Sequence, residues 1–181
     1  MEKKKKIALF GSVKVLVFAA FLCAVSGVMK LIAPSADTWR ISFENFPILF
    51  AGITLGPIIG GAVGIASDLL GCLFRGYAIN PLITLASMFV GVISGATFKV
   101  LKSQKKEVAI ITAVFLGHII CNMVIKTIVL SKMFGMALEV LIPERTVTYL
   151  MTAVVESIII VVLYRNSAIK NGLKRVTGNE Y

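Results

Sequence analysis

The sequence predicts an all-α membrane protein: a compact bundle of six transmembrane helices, with both termini in the cytoplasm. Three observations lead there. The 181 residues are 57% hydrophobic and only 15% charged, with a mean hydropathy of +0.91, outside the range of ordinary soluble domains. Apolar stretches recur between short polar breaks and, at roughly 20 residues per crossing, supply about six spans within one domain covering residues 1–181. Cations gather at the ends of those stretches, so the net charge of +10 reads as membrane topology and not as a nucleic-acid surface.

The first apolar segment covers about residues 8–31, behind the basic start "MEKKKK". A cleaved signal peptide has a similar outline, but Lys14 interrupts the run and further spans follow, so a retained helix is expected. Ala20 and Ala24 lie four apart on it. Such small-residue spacing lets helices approach closely in lipid, either inside the bundle or against another subunit.

The next apolar region is too long for one span. Pro57 in "GPIIGG" lacks a backbone donor and divides it into segments at about 45–57 and 58–74, two short helices each barely long enough to cross. The pairs Gly52/Gly56 and Gly60/Gly64 repeat the four-residue spacing, as do Gly91/Gly95 in the fourth segment, about 82–99. These pairs are expected to pack helix on helix. Asp68 continues the glycine face of the third helix. A carboxylate within a span is costly unless paired or hydrated, so Asp68 is a candidate functional group, with a bond to a neighbouring helix as the structural alternative.

The fifth segment, about 107–131, carries His118, Asn122 and Lys126 at four-residue intervals. The sixth, about 146–164, continues a stripe of Arg145, Tyr149, Thr152 and Glu156. His118 is eleven residues from Glu107 and Glu156 eleven from Arg145, which puts both roughly 16 Å into the membrane at the helical rise. A structural bond between them is the expected outcome. Lys126 and Arg145 lie nearer the outer surface, where they either snorkel to water or meet a ligand. Cys23, Cys72 and Cys121 have no metal or redox spacing and are expected to pack as small residues.

With the N-terminus inside, residues 1–14, 99–107 and 164–181 become cytoplasmic and hold most of the lysines and arginines, as the positive-inside rule requires. The basic ends are 1–7 and 165–181. The outer loops are then "WRISFENFP", 39–47, and "FRGYAINP", 74–81. No HExxH, GxSxG or GxxxxGK[ST] pattern occurs, so no enzyme, metal site or cofactor is expected in this chain.

The stretches "AFLCA" at 20–24 and "RISFENFPILFAGITLGPIIGGAVGIASDLLG" at 40–71 resemble the substrate-binding S components of energy-coupling factor vitamin transporters. The order Arg-x-Ser-Phe, Gly-Pro-x-x-Gly and Asp-Leu-Leu-Gly is most similar to the folate-specific branch. The resemblance implies a bacterial plasma-membrane protein that captures a vitamin outside the cell. A separate transmembrane scaffold and two cytoplasmic ATPases would use ATP to drive import. It also implies that Ala20 and Ala24 dock the scaffold.

Folate combines a flat pterin, a benzoyl linker and a glutamate with two carboxylates. Under that reading, Trp39, Phe43 and Tyr77 supply aromatic faces, or else act as lipid-interface aromatics. Arg40 and Arg75 grip carboxylates, unless Arg40 pairs with Glu44 one turn away. Asp68, favoured over Asn122, accepts from the pterin edge, and Lys126 meets the ligand near the outer surface. Two rivals stand beside it: an S component for thiamin, riboflavin or biotin, and a self-contained carrier with His118, Asn122 and Glu156 as a proton path.

Overall fold

The computed structural model of the protein describes residues 12–33 and 42–178, and every regular element among them is helical. Helix α1 is Val13–Ile32, α2 Asn45–Leu55, α3 Pro57–Arg75 and α4 Pro81–Val100. Helix α5 begins as Lys106–Gly117, widens into a π-helix over His118–Lys126 and returns to α over Thr127–Phe134. Helices α6, Leu138–Arg165, and α7, Ser167–Thr177, are the last two among the described residues.

Among the described residues five helices, α1, α3, α4, α5 and α6, are long and apolar enough to cross a membrane. Helix α2 is not. Its 11 residues span about 16 Å against roughly 30 Å of hydrocarbon, so of the two short helices expected to be barely long enough to cross, α3 reaches that length and α2 falls short of it. Gly56 ends it at φ +95°, a backbone that side chains rarely adopt, and Pro57 starts α3 at once. Pro47 through Thr54 are all buried, so α2 is the central post of the bundle.

The glycine pairs let α2, α3 and α4 touch through their backbones. A Cβ at Gly60 would lie 2.5 Å from Gly52 Cα and 2.9 Å from the Gly91 carbonyl, and one at Gly95 would lie 2.6 Å from the Gly52 carbonyl. Gly60→Ala is therefore expected to cost roughly 1–3 kcal/mol, as overpacking does, read as a lower melting temperature in detergent. Gly172→Ala, on an open face of α7, should leave the melting temperature unchanged or raise it.

Two boundaries depart from expectation. Helix α6 starts at Leu138, well before residue 146, and passes through Pro143. The proline costs only the bond to Glu139 in the first turn, so the helix survives it. The basic tail is also ordered as α7: Asn166 accepts from the Ala168 N–H, Leu173 is buried and Ile169 packs on the core. The three cysteines are buried and unpaired.

Candidate functional site

Polar side chains gather inside the end of the bundle where α1, α3 and α5 finish and α2, α4 and α6 begin. Two groups form there. In the first, Lys30 in the last turn of α1 reaches α3, placing Nζ 2.7 Å from Asp68 Oδ1 and 3.4 Å from the Asp68 carbonyl. The other carboxylate oxygen, Oδ2, accepts from the Thr84 hydroxyl of α4 at 2.7 Å. Both oxygens of Asp68 are thus occupied, and the residue fastens three helices. Gly71 makes this possible, since a Cβ there would run into the Lys30 chain. Sequence reasoning missed Lys30 because a lysine in a last turn looks like an interfacial cation. The missed signal was a carboxylate in a span, which needs a cation at its own depth.

The second group lies along the π-helical part of α5. Its wider turn keeps residues four apart on one inward face, and His118, Asn122 and Lys126 are all buried. His118 Nε2 lies 2.7 Å from Glu156 Oε2 on α6, the pairing that the depth count predicts. Asn122 Nδ2 approaches His118 Nδ1 at 3.2 Å. Lys126 Nζ is 4.0 Å from Glu44 Oε1, beside the start of α2, and within electrostatic reach of Asp68 and Lys30. Lys126 is 5% exposed, and its Nζ makes no hydrogen bond among the described residues. Asn45 Oδ1, Asn122 Oδ1 and Glu156 Oε1 are likewise buried without a partner there.

At the rim, Arg75 is anchored to the C-terminus of α1. Its guanidinium donates to the carbonyls of Leu31 at 3.0 Å and Ala33 at 2.6 Å, and to the Tyr77 hydroxyl at 3.0 Å. Tyr77 is exposed and Phe43 half-buried. Ser26 donates to the Glu44 carbonyl at 2.7 Å, tying α1 to the start of α2, and Phe46 stacks on Phe50. Trp39 and Arg40 lie outside the described residues. The structure therefore brings Asn122 and Lys126 together, sets Asp68 in a separate clasp beside them, and leaves Arg75 and Tyr77 above.

A different concavity is apolar. A groove of ≈ 230 Å³ runs between α1 and α3, lined by Leu16, Ala19, Ala20, Cys23, Ile59 and Ala66 among others. It offers no polar group to orient a vitamin. Ala20 and Ala24 are exposed, so their small-residue face points out of the bundle.

Residues 14–164 match the family described as "ECF transporter, substrate-specific component". The folate transporter FolT of Clostridium novyi (strain NT) is 31% identical over 137 residues, 75% of this chain and 78% of that protein. The riboflavin transporter RibU of Staphylococcus aureus (strain TCH60) is 27% identical over 155 residues, covering 75% and 77% respectively. A crystal structure of FolT bound with folic acid superimposes with a TM-score of 0.71 over 83% of this chain and 92% of that one, at 24% identity. A buried polar interior under one end of a helical bundle, carried by a sequence match over most of its length, places this chain among the substrate-specific components of ECF transporters.

Proposed function

We propose that the chain captures folate from outside the cell, in the bacterial plasma membrane, for an ATP-driven importer. The carrying observation is Lys126: an ammonium held at 5% exposure, with Glu44 no nearer than 4.0 Å, in a relative of a folate transporter. A buried cation without a close partner is costly. A ligand carboxylate would remove that cost, and folate carries two.

In this reading the chain makes six passes, with α2 supplying the helical part of a short central one, and both termini lie in the cytoplasm. The cation distribution supports that orientation. Asn122 faces the pterin edge, and Phe43 and Tyr77, with Trp39 and Arg40 in the same outer loops, close over the ligand. Arg75 shapes the rim through the α1 carbonyls it holds. Ala20 and Ala24 receive the transmembrane scaffold, whose two ATPase partners hydrolyse the ATP; this chain itself holds no cofactor.

Lys126→Met should weaken folate at least about tenfold, the size of a lost charge-assisted hydrogen bond, and leave 6-methylpterin, which has no carboxylate, within about twofold. Calorimetry on the purified chain measures both. Equal losses for the two compounds would contradict the carboxylate role of Lys126. Riboflavin, the cargo named for one relative, offers no carboxylate for that ammonium and should bind more weakly than folate.

A further inference from the structure

At the end of the bundle opposite the polar groups, three helices meet at one aromatic ring. Tyr164, in the last turn of α6, is 4% exposed. Its ring meets Phe98 of α4 edge-on, 5.8 Å between centroids, and the Lys106 ammonium at the start of α5 lies over it, 5.6 Å from its centre. These contacts gather cations that the chain carries beside them: Lys99 follows Phe98, Lys105 precedes Lys106 and Arg165 follows Tyr164. Lys102 lies in the connection between α4 and α5. All five are exposed, and none forms an ion pair among the described residues. Glu107 is the one acid at these helix ends among the described residues.

Like charges brought together repel, and an anion placed among them turns that cost into attraction. The surroundings say which anion. Val100, Val108 and Val162 lie on the same three helices, within three residues of these cations, and all are exposed. Helices α4, α5 and α6 are each long and apolar enough to cross a membrane. The cations therefore stand at the level of the lipid phosphates, with the valines beside the acyl chains. A soluble anion would match the cations and leave the valines unused. We infer that Lys99, Lys105, Lys106 and Arg165 hold the phosphodiester of an anionic phospholipid whose acyl chains lie along Val100, Val108 and Val162. Arg165 can grip two phosphate oxygens, and the lysines act as point charges. Contact with Tyr164 already restricts Lys106, so less side-chain freedom is lost on binding. One buried ring assembles the cluster, which distinguishes it from a general excess of cations at a membrane surface. The inference holds whichever vitamin the chain carries.

The test melts the purified, delipidated full chain in a neutral detergent with added phosphatidylglycerol, or with phosphatidylcholine of the same acyl chains. Phosphatidylglycerol should raise the unfolding midpoint by about 3 °C more than phosphatidylcholine does. Lys99→Gln combined with Lys106→Gln and Arg165→Gln should remove at least about half of that difference. Lys14→Gln combined with Lys170→Gln and Arg175→Gln takes the same charge from α1 and α7 and should keep the difference. Equal midpoints with the two lipids in the wild-type chain overturn the inference. Equal loss in both combined variants overturns it as well, because net charge alone would then attract the lipid. Inorganic phosphate that raises the midpoint as much as phosphatidylglycerol would make the site one for a free anion and overturn the lipid assignment. Should the first combined variant fail to fold, Arg165→Gln alone decides: the inference requires a smaller lipid difference than in the wild type, and an unchanged difference overturns it.

Discussion

Asp68→Ala is expected to destabilise the protein by roughly 3–5 kcal/mol, the cost of breaking a buried ion pair from one side. The substitution takes the carboxylate from the Lys30 ammonium, itself 6% exposed, and one acceptor from Thr84. It also cuts the link from α1 to α3 and α4 at the end where the polar side chains gather. The paired replacement Lys30→Met with Asp68→Leu should recover most of the loss, since an apolar pair of similar volume removes both charges from the interior. Thermal unfolding of the wild type, Asp68→Ala and the paired replacement in detergent checks this. An Asp68→Ala midpoint equal to that of the wild type would show that the clasp contributes nothing.

Ala20→Trp is expected to abolish vitamin uptake by the assembled transporter while the isolated chain keeps its ligand affinity. Ala20 is exposed and lines the apolar groove between α1 and α3, whose lining includes no residue of the His118 network. A bulky ring there fills the space that small residues keep open for a close helix contact. It touches neither Lys126 nor Asn122. Uptake into liposomes, measured beside folate binding in detergent, separates the two effects. Loss of binding would place Ala20 in the packing of the bundle; intact uptake would mean that the scaffold docks elsewhere.

Much of this arrangement is legible in the sequence where the signal is periodic or countable. Four-residue glycine spacing gives the contacts of α2, α3 and α4, and counting residues inward from Glu107 and Arg145 pairs His118 with Glu156. What escapes is decided by tertiary neighbours. Asp68 looks like a free acceptor until Lys30, far away in sequence, is seen at the same depth with Gly71 making room for its chain. Arg75 looks like a ligand clamp, yet the carbonyls of Leu31 and Ala33 at the end of α1 take two of its donors. Pro143 suggests a boundary, but near a helix start it removes too little to stop α6. Helix α7 is hidden by its charges, because its apolar side rests on little more than Ile169 and Leu173.

The central claim is that this chain alone, without scaffold, ATPases or ATP, holds folate. Titrating folate into the purified chain by calorimetry, with riboflavin in a parallel titration, tests it most directly. The account predicts saturable binding of one folate per chain, tighter than riboflavin and weakened by Lys126→Met. Tight riboflavin binding with no heat from folate would contradict the folate assignment, and no binding of any vitamin together with ATP-independent solute movement in liposomes would contradict the capture role itself.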